Sequence, residues 1–206
     1  MLMLHFVLFM ASFVVLPTDL DTLSLDKRLI LDVTFTKSSP ILTQEQNQYA
    51  GLFEIAGASN EYSVRHNTNY VRLENVCNAY LKEEPYDTVT GETYTIANHP
   101  QPSVRVKQAD LDAIVSQVFS EDEINTYTNK INPINMTYAV DSHTGKVLEV
   151  KFYLYHRNND NRLLSIPIEQ LEKLEEKIKE QLVLTIPENG KNASYLMTRG
   201  SIFRNL

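Results

Sequence analysis

Hydrophobic and polar positions alternate most regularly in the stretch from Val147 to His156. Leu148, Val150, Phe152 and Leu154 share one parity, and Glu149, Lys151, Tyr153 and Tyr155 share the other. A period of two predicts a strand with one face in the core and one at least partly wet. Met136 to Val140 precedes it. The connection Asp141-Ser142-His143-Thr144-Gly145-Lys146 carries Asp to bond its own backbone and Gly for a positive φ, so the pair reads as a hairpin. On both sides the period becomes helical. Leu111, Ile114, Val115 and Val118 predict an amphipathic helix over Gln108 to Phe119. Ser120 and Glu123 have the spacing of a capping box, so a short helix starts there. Beyond the polar tip Arg157 to Arg162, Pro167 marks the first turn of a third helix. Its stripe is Ile168, Leu171, Leu174, Ile178 and Leu182, and Glu169–Lys173 and Glu175–Lys179 are i,i+4 pairs expected on its exposed side. Pro187 and Asn189-Gly190 end that region, and Tyr195 to Phe203 reads as a returning strand.

The first half consists of shorter pieces. Leu29, Leu31, Val33 and Phe35 share one face of a strand. From Tyr49 to Ile96, apolar runs broken by Gly57-Ala58-Ser59-Asn60, Asn67-Thr68-Asn69 and Pro85 to Gly91 describe an antiparallel meander. Pro100 and Pro102 separate a β-rich half (29–100) from an α+β half (103–206), and the two halves can pack as one domain. The expected class is α+β, an antiparallel sheet with helices on one face preceded by a β-meander. Met1 to Leu16 is a run of 16 residues without a formal charge, followed by a polar linker over 17–28. A bilayer span needs ~20 apolar residues, so the length favours an export signal. No Lys or Arg precedes the run and no clean small-x-small site follows it, so a retained anchor stays open, as does a hydrophobic first strand.

Charge narrows the partners. With 19 Lys+Arg against 26 Asp+Glu, the 206-residue chain has a net charge of −7, which excludes nucleic acid as the main partner. The single cysteine, Cys77, excludes an intrachain disulfide and reads as a small buried hydrophobe. Thr144-Gly145-Lys146 lacks the upstream Gly and the following Ser or Thr of a phosphate loop. His66, His99, His143 and His156 form no local pair, so no metal site or cofactor is expected; Asp141 and His143 meet only on a turn tip. Glu83-Glu84 and Glu121-Asp122-Glu123 read as a strand end and a helix start rather than a catalytic pair. No catalytic set stands out. The remaining hint is 11 tyrosines with no tryptophan. Tyr62, Tyr70, Tyr80, Tyr86 and Tyr94 fall in the meander, and Tyr153 and Tyr155 on the wetter strand face. A rigid ring with a polar tip suits protein or glycan contact, which makes Tyr153 and Tyr155 the candidate binding residues. Half-buried strands also favour aromatics for packing alone. Asn135-Met136-Thr137 and Asn192-Ala193-Ser194 are formal glycosylation sequons.

The text MTYAVDSHTGKVLEVK (Met136 to Lys151), Ile166-Pro167-Ile168 with its helix, and Glu188-Asn189-Gly190-Lys191 resemble an uncharacterised bacterial family, a domain of unknown function in exported proteins. The β-turn-β-α-β plan is also similar to the carboxyl-terminal domain of TonB, although the chain has no Pro-rich spanning linker. These resemblances imply export to the periplasm or surface of a Gram-negative bacterium, with membrane contact only through residues 1–16 if these are retained. The expected function is a non-catalytic module binding a protein or glycan of the cell envelope through Tyr153 and Tyr155. The alternatives are a hydrolase whose His143, Asp141 or His99 converges with other groups in the fold, and a membrane-tethered structural protein.

Overall fold

The structure is a computed structural model that describes residues 47–95, 100–128 and 131–204. Met1 to Leu16, the linker over 17–28, the strand predicted at Leu29 to Phe35, and His99 lie outside the described residues. Those described belong to one compact unit, Pro40–Leu206. In chain order they form β1 (Glu54–Ala56), β2 (Glu61–His66), β3 (Tyr70–Asn75), α1 (Gln108–Val118), α2 (Glu121–Tyr127), β4 (Ile134–Val140), β5 (Val147–Tyr155), α3 (Ile168–Gln181) and β6 (Leu196–Ile202). The strands make one antiparallel sheet in the order β1-β2-β3-β5-β4-β6. The meander β1–β3 joins the β4–β5 hairpin through β3 and β5, so strands from both sides of Pro100 and Pro102 share that sheet. The class is α+β, with an open antiparallel sheet and three α-helices among the described residues.

Both long helices pack on one face, here the inner face. The α3 stripe Ile168, Leu171, Leu174, Ile178 and Leu182 is buried, and so are Leu111, Ile114 and Val115 of α1. They meet Val64, Val71, Leu73, Met136, Tyr138, Val150, Phe152 and Leu154 of the sheet in one core. Gly200 on β6 permits the fit, because a Cβ there would lie 2.7 Å from Tyr138 Oη. Ser120 caps α2 in the expected box: its Oγ accepts from Glu123 N, and Glu123 Oε2 accepts from Ser120 N at 2.8 Å.

Four local expectations are corrected. Along β5, Val140 pairs with Val147 but Ala139 pairs with Glu149, so Leu148 is an extra residue in a β-bulge. Val147 therefore enters the main core, while Leu148 turns to the other face against Leu81, Ala139 and Tyr195. Glu175 is buried, not on the exposed side of α3. The turn between β1 and β2 and the Tyr62 side chain lie over that part of the helix, where Tyr62 Oη donates to Glu175 Oε2 at 2.9 Å. Neighbouring Glu172 accepts from Ala58 N, from Ser59 N at 3.0 Å and from Asn60 Nδ2 at 2.6 Å. Cys77 is exposed rather than buried, because the chain leaves β3 in a turn there. The stretch from Glu92 contributes an isolated bridge, Tyr86 to Thr93, instead of a strand.

The edge strand β6 is closed off by side chains. Gln101 accepts from Met197 N at 2.9 Å and donates to Met197 O at 2.6 Å, and Gln108 Nε2 donates to Ser201 O at 3.1 Å. At the hairpin tip Asp141 Oδ1 accepts from His143 N, Thr144 N and Thr144 Oγ1, the Asx turn that the sequence implied. Gly145 follows at φ +73° and receives Leu184 N on its carbonyl at 2.8 Å.

Candidate functional site

The outer face of the sheet is divided into a covered and an open end. At the covered end, Glu149 is 7% exposed and accepts three backbone N–H groups, Ala79 at 2.5 Å, Tyr80 at 3.0 Å and Leu81 at 2.8 Å. Lys151 Nζ donates to Leu81 O at 3.0 Å and stands 3.0 Å from Glu74. A carboxylate and an ammonium are thus desolvated together with matching partners, the condition under which buried charge is tolerated. They clamp the segment 76–84 over the bulge. The hydroxyl of Tyr195 is shared between the carbonyls of Tyr80 and Glu83, and burial with the carboxylates of Glu83, Glu149 and Glu84 pushes it up to about 12.

The open end holds the predicted pair. Tyr153 and Tyr155 are half-buried, one pleat apart on β5, and strand pairing adds Tyr70 from β3 directly opposite Tyr155. The Tyr70 ring lies 5.4 Å from the Tyr153 ring at 72° and 5.4 Å from the Tyr155 ring at 51°. Edge-on and tilted contacts of this kind fix rings at low entropic cost. The Arg157 guanidinium stands 4.9 Å over the Tyr155 ring, within cation–π range. From β4 and β6 come Asn135, Thr137, Ser201 and Arg199, with Asn135 opposite both Tyr153 and Ser201. Ser201 Oγ bonds Asn135 Oδ1 at 2.7 Å.

All of these but Arg157 line a hollow of about 260 Å³. Among the described residues its lining has no carboxylate, imidazole or thiol. A second hollow of about 340 Å³ adjoins it, sharing Thr137 and Arg199 and bordered by Pro85, Tyr94, Gln101 and Met197.

The other candidates lie apart. Asp141 and His143 occupy the far end of the β4–β5 hairpin, where Asp141 is spent on the turn. The backbone N–H of Thr144 leads the bonds that hold its carboxyl below the ordinary range, and burial only partly opposes them. His143 Nδ1 is 2.9 Å from Ser142 Oγ. Among the described residues no group of three His, Cys, Asp or Glu could hold a metal ion, and no helix is long and apolar enough to cross a membrane. Tyr62 and Tyr94 are core rings. Sequence reading did not place Arg199, Thr137 and Ser201 around the candidate pair, nor Arg157 over Tyr155, and took Asn135 only as a sequon. Alternation marks their face, but the strand order that gathers them is not visible in a single segment.

A family described as "Domain of unknown function (DUF5043)" matches residues 46–199. The chain belongs to that family. A DUF5043 protein from Bacteroides uniformis, solved by crystallography, is similar with a TM-score of 0.56 and 23% identity, covering 73% of this chain and 90% of that one. At that identity the likeness speaks for the DUF5043 fold alone. No curated protein matches the chain.

Proposed function

We propose that this DUF5043 chain is a non-catalytic binding module, exported to the bacterial envelope, that takes a protein or glycan ligand on the open end of its outer sheet face. One observation carries the reading. Three tyrosines, an arginine and neutral polar groups converge on one hollow whose described lining holds no carboxylate, imidazole or thiol. Binding needs shape, ring faces and hydrogen bonds, and all are present, whereas Asp141 and His143, the acid–base candidates that the sequence offered, stand at the far end of the hairpin with Asp141 bonded to the turn. Export rests on the apolar run Met1 to Leu16 and on the resemblance of the hairpin, α3 and β6 plan to envelope domains, from which no receptor contact is carried over.

The test is capture of envelope components by the full chain and by a Tyr153→Ala/Tyr155→Ala variant. The expected result is a loss of at least about tenfold in affinity, equivalent to about 1.4 kcal/mol, in a variant that still melts cooperatively, at a somewhat lower temperature because the ring contacts are gone. Undiminished capture by the variant overturns the assignment of this face. N-terminal sequencing of the mature protein distinguishes an exported, cleaved product from a tethered one.

A further inference from the structure

We propose that the ligand of the open face is an acidic glycan, a chain of sugar rings carrying carboxylates. This inference rests on the binding reading above and adds the chemical class. It starts from a local reversal of charge. The chain carries −7 overall, yet Arg65, Arg72, Arg157 and Arg199 all lie on or beside the open end of the outer face. Across the sheet, one row runs Arg65, Arg72, Tyr153, Asn135, Ser201 without a carboxylate. The carboxylates closest to it are engaged. Glu74 stands 3.0 Å from Lys151 and 4.0 Å from Arg72, and Glu149 serves the segment 76–84. Asp160 is held in a two-point pair by Arg162, at 2.9 and 2.7 Å, which keeps it near 2. Glu54 and Glu61 stand toward the β1 edge of the sheet.

An arginine fork matches a carboxylate in two parallel hydrogen bonds. The rest of the hollow fits sugar. Tyrosine rings offer flat surfaces for the C–H faces of a pyranose, and Asn135, Thr137 and Ser201 offer neutral donors and acceptors for its hydroxyls. The most exposed apolar side chains on which a protein partner would draw, Phe53, Val89 and Val183, lie on other elements, and of the remainder Met197 borders the neighbouring hollow. At about 260 Å³ the hollow is small for a compact ligand, and it continues into its neighbour over Thr137 and Arg199, which suits a chain laid across the face.

Affinity electrophoresis of the full chain against polygalacturonate, alginate and hyaluronan tests this, with fully methyl-esterified polygalacturonate and dextran as neutral counterparts and polyglutamate and oligothymidylate as competing polyanions. The expected result is retardation by at least one carboxylated polysaccharide. Added salt weakens it, it falls about tenfold with the neutral counterparts, and Arg199→Gln or Arg157→Gln lowers it about fivefold at unchanged thermal stability. No retardation by any carboxylated polysaccharide overturns the inference, as does equal binding of the methyl ester, polyglutamate or oligothymidylate. Sensitivity to Tyr153→Ala combined with indifference to both arginine variants overturns the acidic class while leaving the binding module standing. Indifference to all of them removes the site itself.

Discussion

Glu172 and Glu175, three residues apart on α3, titrate in opposite directions. For Glu172, burial favours the neutral form, but Asn60 Nδ2 and the N–H groups of Ala58 and Ser59 together outweigh it and hold the carboxyl below its ordinary value. Its contribution is therefore fully present above about pH 4.3 and is lost as pH falls through the lower folded value. Glu172→Ala should lower stability at pH 7 by about 2 kcal/mol, since buried donors lose their acceptor, and the gap in urea midpoint should close on acidification. For Glu175, burial dominates and raises the carboxyl, with Tyr62 and Lys179 only partly offsetting it. The folded state then binds the proton more tightly, so stability falls as pH rises from about 4.3 through the folded value. Glu175→Gln removes that fall, so the variant should equal or exceed the parent at pH 7 and lose the advantage in acid, as read from melting temperature across pH. The sequence offered Glu175 only as half of an i,i+4 pair. Its burial is set by a turn more than a hundred residues earlier, which helical spacing does not encode.

At the scale of elements, the sequence was legible wherever one period ran unbroken. The α3 stripe, the α1 stripe, the capping box at Ser120 and the Asp141 turn were all readable because each rests on neighbours within a few positions. β5 was readable only from Glu149 onward. Val147 and Leu148 are both apolar, so counting by twos could not reveal that the bulge shifts the parity between them. The hairpin tip gives a direct test. Gly145 combines φ +73° with the Leu184 carbonyl packed where a Cβ would stand. Gly145→Ala should destabilise the fold by about 2–3 kcal/mol, seen as a lower denaturant midpoint at an unchanged slope.

For the whole molecule, alternation placed Tyr153 and Tyr155 on the outer sheet face but did not show what stands beside them. Tyr70, Asn135 and Arg199 reach them through the order β3-β5-β4-β6, a property of non-local pairing. Among the described residues the same pairing leaves β6 at a margin, with Gln101 occupying the backbone groups of Met197. Gln101→Ala should therefore raise concentration-dependent self-association, measured by light scattering, while the parent stays dispersed. An amide side chain standing in for a neighbouring strand caps the β6 margin at Met197: a second copy arriving there finds both backbone groups already bonded, and that point of the margin is closed to pairing.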